Sequence, residues 1–106
     1  MPAPTNDLKT ALAAGDVLRG LWLSLGAETT TEIAGRAGFD WCLIDGEHGP
    51  WDPALIRRQL VTLAATGTPA MVRVPVGEAW VLKQALDIGA QTVMVPMVDS
   101  ADQAAA

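Results

Sequence analysis

The sequence of 106 residues contains one cysteine, one histidine, one phenylalanine and no tyrosine. A single cysteine cannot form a disulfide within the chain, which excludes the class of small secreted domains held together by disulfides. No apolar run approaches the roughly 18 residues that a membrane-spanning helix needs. The N-terminal residues also lack the charged-then-apolar pattern of a signal peptide. With Cys42 in an apolar run, the sequence predicts a soluble cytoplasmic protein with no membrane partner.

Basic residues are also scarce, since 7 Lys and Arg stand against 12 Asp and Glu, for a net charge of −5. Nucleic acids and anionic membranes bind to clustered Lys and Arg, so neither is an expected partner. A small anionic substrate is still compatible with this charge, because one well-placed arginine acts strongly at short range. Half of the residues are hydrophobic, which indicates one small domain with a packed core rather than disorder.

Strand and helix patterns alternate strictly after a first helix. The predicted strands cover residues 17–25, 39–45, 69–75 and 91–98, and the predicted helices cover residues 6–16, 28–38, 51–67, 78–89 and 100–106. Strands that alternate with helices predict right-handed crossovers and a parallel sheet. Inward-facing residues are expected to include Ala64 and Leu86 on the third and fourth helices.

Two α/β architectures compete for this pattern, an open doubly wound sheet and a (β/α)8 TIM barrel. A barrel usually has about 250 residues. Four strand–helix units in 106 residues amount to half of one, and the chain stops within the first turn of a helix. We therefore expect the first half of a barrel, with residues 1–106 as the N-terminal portion of a single barrel domain.

The loop in "CLIDGEHGPWDP", residues 42–53, follows a buried strand and holds the only histidine. In parallel α/β folds, active groups collect at the carboxyl ends of strands. Asp45 and His48 are three residues apart in a turn, so the carboxylate can accept a hydrogen bond from the imidazole and orient it as a base. The alternative is a loop histidine beside an acid that caps a helix.

Three further residues are candidates for a site. Arg73 lies in "MVRVP", a strand expected to be buried, so it either clamps a substrate carboxylate or forms a structural salt bridge. Asp87 follows Lys83 by four residues near a helix end, which fits a surface ion pair, although a negative charge at that end hints at another role. Trp22 lies near a strand end, where it either packs in the core or lines a pocket.

Four stretches of the sequence resemble the HpcH/HpaI family of class II pyruvate aldolases. They are "GLWLSL" at 20–25, "AGFDWCLIDGEHGPWD" at 37–52, "VRVP" at 72–75 and "LDIGAQTVMVPMVDSADQA" at 86–104. The resemblance runs from about Leu18 to the end of the chain. It implies a (β/α)8 barrel that assembles into hexamers and reversibly cleaves a 2-keto-(3-deoxy)-4-hydroxy acid to pyruvate and an aldehyde.

The resemblance also implies roles for individual residues. His48 corresponds to the catalytic base with Asp45 as its partner, and Arg73 to the arginine that binds pyruvate and stabilises the enolate. Asp87 corresponds to an aspartate that supports the active site, and Trp22 to a tryptophan that lines the pocket. These enzymes depend on a divalent metal such as Mg, Mn or Co.

The family's metal ligands, a Glu and an Asp, are expected beyond residue 106, so Glu47, Asp99 and Asp102 are not predicted as ligands. The segment alone is expected to be inactive and poorly folded or aggregated, because a half-barrel exposes two sheet edges and apolar surface. Two other functions stay open. One is a non-catalytic α/β module for assembly or binding. The other is a lyase of the citrate-lyase beta type, against which the "DGEHGP" loop favours the aldolase.

Overall fold

The computed structural model describes residues 2–106, in which helices and strands alternate along the chain. The elements are α1 (Asp7–Ala13), β1 (Gly20–Leu23), α2 (Glu28–Gly35), β2 (Trp41–Asp45), α3 (Pro53–Thr66), β3 (Ala70–Arg73), α4 (Ala79–Asp87), β4 (Val93–Met94) and α5 (Ala101–Ala105). This order confirms the predicted alternation. The longest of these helices, α3, has 14 residues, and no helix in residues 2–106 has the length and apolarity that crossing a membrane requires.

The four strands form one parallel sheet in the order β1-β2-β3-β4. Because every crossover connects neighbouring strands in the same direction, the right-handed rule places the connecting helices on one face of the sheet. A doubly wound sheet would instead reverse its strand order and carry helices on both faces. The order therefore confirms the barrel-type winding that the sequence predicted, represented here by four strands.

The core lies between the sheet and the helices. From Cys42 to Asp45, β2 is buried throughout, which confirms the prediction that this strand is covered on both faces. The buried cluster joins apolar residues of β2, of β3 and its end, and of α3 and α4: Cys42, Ile44, Val72, Val74, Ile56, Leu60, Leu63, Val81 and Ala85.

Local sequence signals explain where α3 begins and ends. The Asp52 side chain accepts hydrogen bonds from the N–H groups of Ala54 and Leu55, and Pro53 occupies the first turn. At the other end, Gly67 takes the left-handed conformation with φ 77°. This fixed start holds the preceding loop, residues 46–51, against the end of β2.

The outer strands are shorter than predicted. β1 covers only 20–23 of the predicted 17–25, with Val17 and Leu25 exposed outside it. β4 is reduced to two residues, because Pro96 has no N–H to donate and Met97 turns the chain away with φ 58°. Each of these strands pairs with one neighbour among residues 2–106, so fewer ladder bonds extend it.

Two inward-facing predictions are wrong. Ala64 on α3 and Leu86 on α4 are exposed. On α4, Ala85 is buried as predicted, and Val81 is buried in place of Leu86, so the stripe that meets the sheet is rotated from the predicted one. Periodicity alone gives the width of an apolar stripe, whereas its rotation depends on the neighbouring helices.

Candidate active site at the carboxyl edge

The loop after β2 folds tightly over the end of its own strand, and two glycines permit this. A Cβ atom on Gly46 would lie 2.6 Å from the carbonyl oxygen of Arg73, and one on Gly49 would overlap the carbonyl oxygen of Asp45. A larger residue at either position would push the loop away from the sheet. The glycines therefore hold Glu47 and His48 directly above the strand ends.

Asp45, the last residue of β2, is the hub of the site and only 3% exposed. Its Oδ1 accepts hydrogen bonds from the backbone N–H groups of Glu47 (3.0 Å) and His48 (3.1 Å) and from Nε of Arg73 (3.0 Å). Its Oδ2 accepts from Nη2 of Arg73 at 2.6 Å and from Nε1 of Trp22 at 3.2 Å. One carboxylate thus joins β1, β3 and the loop.

These hydrogen bonds decide the ionisation of Asp45. Burial alone would raise the pKa of this carboxyl, but the Arg73 guanidinium and the N–H groups of His48 and Glu47 outweigh it. They hold the pKa of Asp45 well below its usual range. The residue is therefore a fixed anion near neutral pH and serves as an anchor rather than as a proton carrier.

Arg73 ends β3 in register with Asp45, and its side chain is 18% exposed. Besides the two hydrogen bonds to Asp45, its Nη1 lies 3.0 Å from Oε2 of Glu47, and its Cζ lies 5.3 Å from the ring centroid of Trp22. The hydrogen bonds that Arg73 donates to Asp45 raise the pKa of Arg73. Nε and Nη2 each donate an N–H group to Asp45, and Nη1 forms an ion pair with Glu47, so within residues 2–106 part of the five N–H groups stays available for a ligand. The arginine is both a structural ion-pair partner and a potential clamp.

His48 lies at the same edge with its side chain 75% exposed, and its Nε2 is 3.8 Å from Oε1 of Glu47. The predicted hydrogen bond between the Asp45 carboxylate and the imidazole is wrong, because Asp45 bonds the backbone N–H of His48 instead. The register of the sheet places Arg73 opposite Asp45, and Arg73 donates hydrogen bonds to both carboxylate oxygens of Asp45.

Glu47 is the residue that sequence reasoning missed. Its side chain is 18% exposed, and its two oxygens face different groups, Arg73 on one side and His48 on the other. The signal in the sequence was its place two residues after Asp45 and next to the only histidine. The sequence does not show that the Arg73 side chain extends past the end of β2 and contacts Glu47.

Of the two remaining predicted site residues, Trp22 lies in the cluster around Asp45, whereas Asp87 does not. Trp22 lies half-exposed on β1 and contacts both Asp45 and Arg73, so it belongs to the cluster. Asp87 is the exposed last residue of α4, which runs back toward the amino edge of the sheet. The structure therefore does not bring Asp87 to the other predicted site residues. It also forms no ion pair with Lys83 within residues 2–106.

The residues at this edge do not fit a divalent metal by themselves. Within residues 2–106, no group of three or more His, Cys, Asp or Glu side chains converges as metal ligands do. Both oxygens of Asp45 already accept hydrogen bonds, and Glu47 is paired with Arg73. The chemistry available from this part of the chain is anion binding by a guanidinium and proton transfer by an imidazole.

Comparisons with known proteins agree with these observations. The chain is 60% identical over 104 residues to a hydroxypyruvate/pyruvate aldolase of Agrobacterium fabrum, covering 98% of this chain and 39% of that protein. It is 50% identical over 107 residues to a 4-hydroxy-2-oxovalerate aldolase of Rhodococcus jostii, covering 100% of this chain and 42% of that protein. The chain thus spans about 40% of the length of the curated relatives it matches.

The fold gives the same result. A crystal structure of an HpcH/HpaI aldolase/citrate lyase family protein from Burkholderia cenocepacia J2315 matches with a TM-score of 0.88 at 46% identity, covering 95% of this chain and 40% of that chain. The sequence profile described as HpcH/HpaI aldolase/citrate lyase matches residues 18–106, which confirms the resemblance read from the motifs. The chain belongs to the HpcH/HpaI aldolase/citrate lyase family.

Proposed function

We propose that the protein is an aldolase that reversibly cleaves a 2-keto-(3-deoxy)-4-hydroxy acid to pyruvate and an aldehyde. The observation that carries this proposal is the convergence of Arg73 and His48 at the carboxyl edge of the sheet, where Glu47 lies between them. Two relatives that match nearly the whole chain are named as aldolases, one for hydroxypyruvate and pyruvate and one for 4-hydroxy-2-oxovalerate. Both names denote chemistry on a 2-oxo acid.

Arg73 binds the pyruvate moiety in this proposal. Removal of a methyl proton from pyruvate leaves negative charge on the carbonyl oxygen, and a cation in a site with little water stabilises that charge. The N–H groups of Arg73 that do not donate to Asp45 suit an oxygen ligand. Asp45 holds the guanidinium from its other side through two hydrogen bonds, so little freedom is lost when a ligand binds.

His48 moves the methyl proton. An imidazole is a base that works near neutral pH, and its exposed position lets it exchange the proton with water. Trp22 packs against Arg73 and lines the substrate site in this proposal. The catalytic role of Asp87 remains a prediction from the resemblance, since its carboxylate lies toward the other edge of the sheet.

We further propose that the protein needs a divalent metal, Mg, Mn or Co, held by residues outside 2–106. Such an ion supplies Lewis-acid stabilisation of charge on a carbonyl oxygen when bound. The roles of Arg73 and His48 follow from their own positions and do not depend on the geometry of that ion.

The proposal extends to the assembly. Residues 1–106 are the N-terminal portion of one barrel domain, and the protein is a cytoplasmic homo-oligomer, as a hexamer, that acts on small molecules. Exposed apolar side chains on and beside both outer strands support closure by further structure, among them Leu25 and Met97. The unpaired, buried Cys42 fits a reducing compartment.

The test follows the methyl protons of pyruvate. The full-length protein with added Mg, Mn or Co is incubated with pyruvate in D2O, and deuterium incorporation is measured by NMR. We expect exchange by the wild-type protein and a loss of at least about 100-fold in His48→Ala, with the circular dichroism spectrum unchanged. Arg57→Ala, on the exposed face of α3, serves as the control and is expected to keep the wild-type rate.

Two results would contradict the proposal. Wild-type protein that exchanges no pyruvate protons and cleaves no 4-hydroxy-2-oxo acid would favour the non-catalytic module. Cleavage of citryl substrates without pyruvate exchange would favour a citrate-lyase-type reaction, which the family description also includes.

A further inference from the structure

Glu47 stands between the two groups that carry the proposed reaction. Oε2 lies 3.0 Å from Nη1 of Arg73, and Oε1 lies 3.8 Å from Nε2 of His48. Within residues 2–106, it is the carboxylate that approaches the imidazole within ion-pair distance. Its side chain is 18% exposed, so water screens these charges only in part.

The backbone fixes this arrangement. The N–H groups of both Glu47 and His48 donate to Oδ1 of Asp45, the same carboxylate that holds Arg73. Gly46 allows the close approach of the loop to the β3 end. The backbone of Glu47 is therefore held next to Arg73, and rotation of the Glu47 side chain can shift its carboxylate between the two partners.

The charges at this edge oppose an anionic substrate. The carboxylates of Asp45 and Glu47 face one guanidinium, so the cluster carries a net charge of −1 while His48 is neutral. Asp45 is needed to hold Arg73, whereas Glu47 adds a second negative charge where an oxo acid would bind. A carboxylate that weakens substrate binding needs another reason to be there, and its distance to His48 provides one.

We propose that Glu47 is a positioning residue that stabilises the protonated form of His48 at the cost of weaker oxo-acid binding. When His48 takes the methyl proton, the imidazolium and the Glu47 carboxylate form an ion pair across the 3.8 Å that separates them. The proton goes from the pyruvate methyl carbon to the imidazole, and the electron pair stays on the oxo acid. This role rests on the proposed aldolase function and adds a residue to it.

A split between KM and kcat distinguishes this role from a structural one. Pyruvate proton exchange is measured against pyruvate concentration for the full-length protein and for Glu47→Gln, Glu47→Asp and Glu32→Gln. Glu47→Gln keeps the shape and a hydrogen-bond acceptor for Arg73 but removes the charge. Glu32→Gln removes the charge of an exposed glutamate that pairs with Arg36 on α2, away from this edge, and is the matched control.

For Glu47→Gln we expect KM to fall by about threefold to tenfold, because one negative charge is removed. We expect kcat to fall by about twofold to fivefold, because the imidazolium loses a partner that solvent screens in part. Glu47→Asp restores part of kcat, and Glu32→Gln matches the wild type.

An increase in KM together with the loss of kcat would overturn the proposal, since a distorted site weakens binding and turnover alike. Unchanged kcat in Glu47→Gln would also overturn it while leaving the aldolase function intact. Absence of exchange in the wild type would overturn the proposed function itself and this role with it.

Discussion

The two edges of the sheet use polar residues in different ways. At the carboxyl edge, Asp45, Arg73 and Glu47 form a charged network with little solvent exposure. At the amino edge, the polar contacts stabilise the fold. Asn6 caps α1 and donates to the Gln91 carbonyl and the Thr92 hydroxyl.

Polar groups that stabilise the fold and polar groups that are available for binding lie at opposite edges of the sheet. The side-chain nitrogen and oxygen of Asn6 both have partners at the amino edge, whereas at the carboxyl edge Arg73 has N–H groups that do not donate to Asp45, and the ring of His48 is exposed. Binding needs groups that are held in place and yet not fully paired. The comparison therefore predicts that changes at the carboxyl edge alter both stability and activity, whereas changes at the amino edge alter stability alone.

The largest effect is expected from Arg73→Leu. This change leaves the buried Asp45 carboxylate without its cation, so we expect the free energy of unfolding to fall by about 3–5 kcal/mol. Denaturant unfolding of the full-length protein measures it. Arg57→Leu, on the exposed face of α3, is the matched control and should change stability by less than about 0.5 kcal/mol. Equal effects of the two changes would show that the Asp45–Arg73 pair does not anchor the site.

A smaller loss of stability is expected at acidic pH. Against the effect of burial, Arg73 and the backbone N–H groups lower the pKa of Asp45 below its ordinary value of 3.8. The unfolded chain then binds this proton more readily than the folded protein does. The stabilisation is fully present above about pH 4 and is lost as the pH falls below it.

This acid dependence is measured as the denaturation midpoint of the full-length protein at decreasing pH. Asp45→Asn should flatten the curve below about pH 4, whereas Asp102→Asn, which removes an exposed carboxylate on α5, should keep the wild-type slope. Parallel curves for all three proteins would contradict the assignment of Asp45 as the fixed anion.

The smallest effect is expected at the amino edge, from Asn6→Ala. Loss of the cap and of the contacts to Gln91 and Thr92 should cost about 0.5–2 kcal/mol of stability. The rate of pyruvate proton exchange should stay at the wild-type value under conditions where the protein is folded. A fall in the exchange rate would contradict the separate roles of the two edges, because it would show that the amino edge affects the active site.

Much of the fold follows from local signals in the sequence. The unbroken apolar run of β2 predicts its burial, and Asp52, Pro53 and Gly67 predict both ends of α3. The extents of β1 and β4 do not follow, because the length of an outer strand depends on its single neighbour. The exposed Leu86 has a similar cause, since the rotation of α4 is set by what it packs against.

The candidate site, like the fold, could be predicted from the sequence only in part. The strand-end rule brings His48 and Arg73 to one edge, as predicted. The partner of the imidazole could not be predicted, because it depends on which side chains donate hydrogen bonds to the two oxygens of Asp45. Register places Arg73 there, which leaves Glu47 for His48. Such competition between neighbours is decided by geometry at the scale of single hydrogen bonds, which sequence spacing does not resolve.

His48 and Arg73 are proposed to act on one oxo acid at the carboxyl edge. A crystal structure of the full-length protein with bound pyruvate would show whether they do. We expect an oxygen of pyruvate about 3 Å from a nitrogen of Arg73, with the pyruvate methyl group facing the imidazole of His48. Pyruvate bound at the amino edge, or in contact with only one of these two side chains, would contradict the joint action of His48 and Arg73.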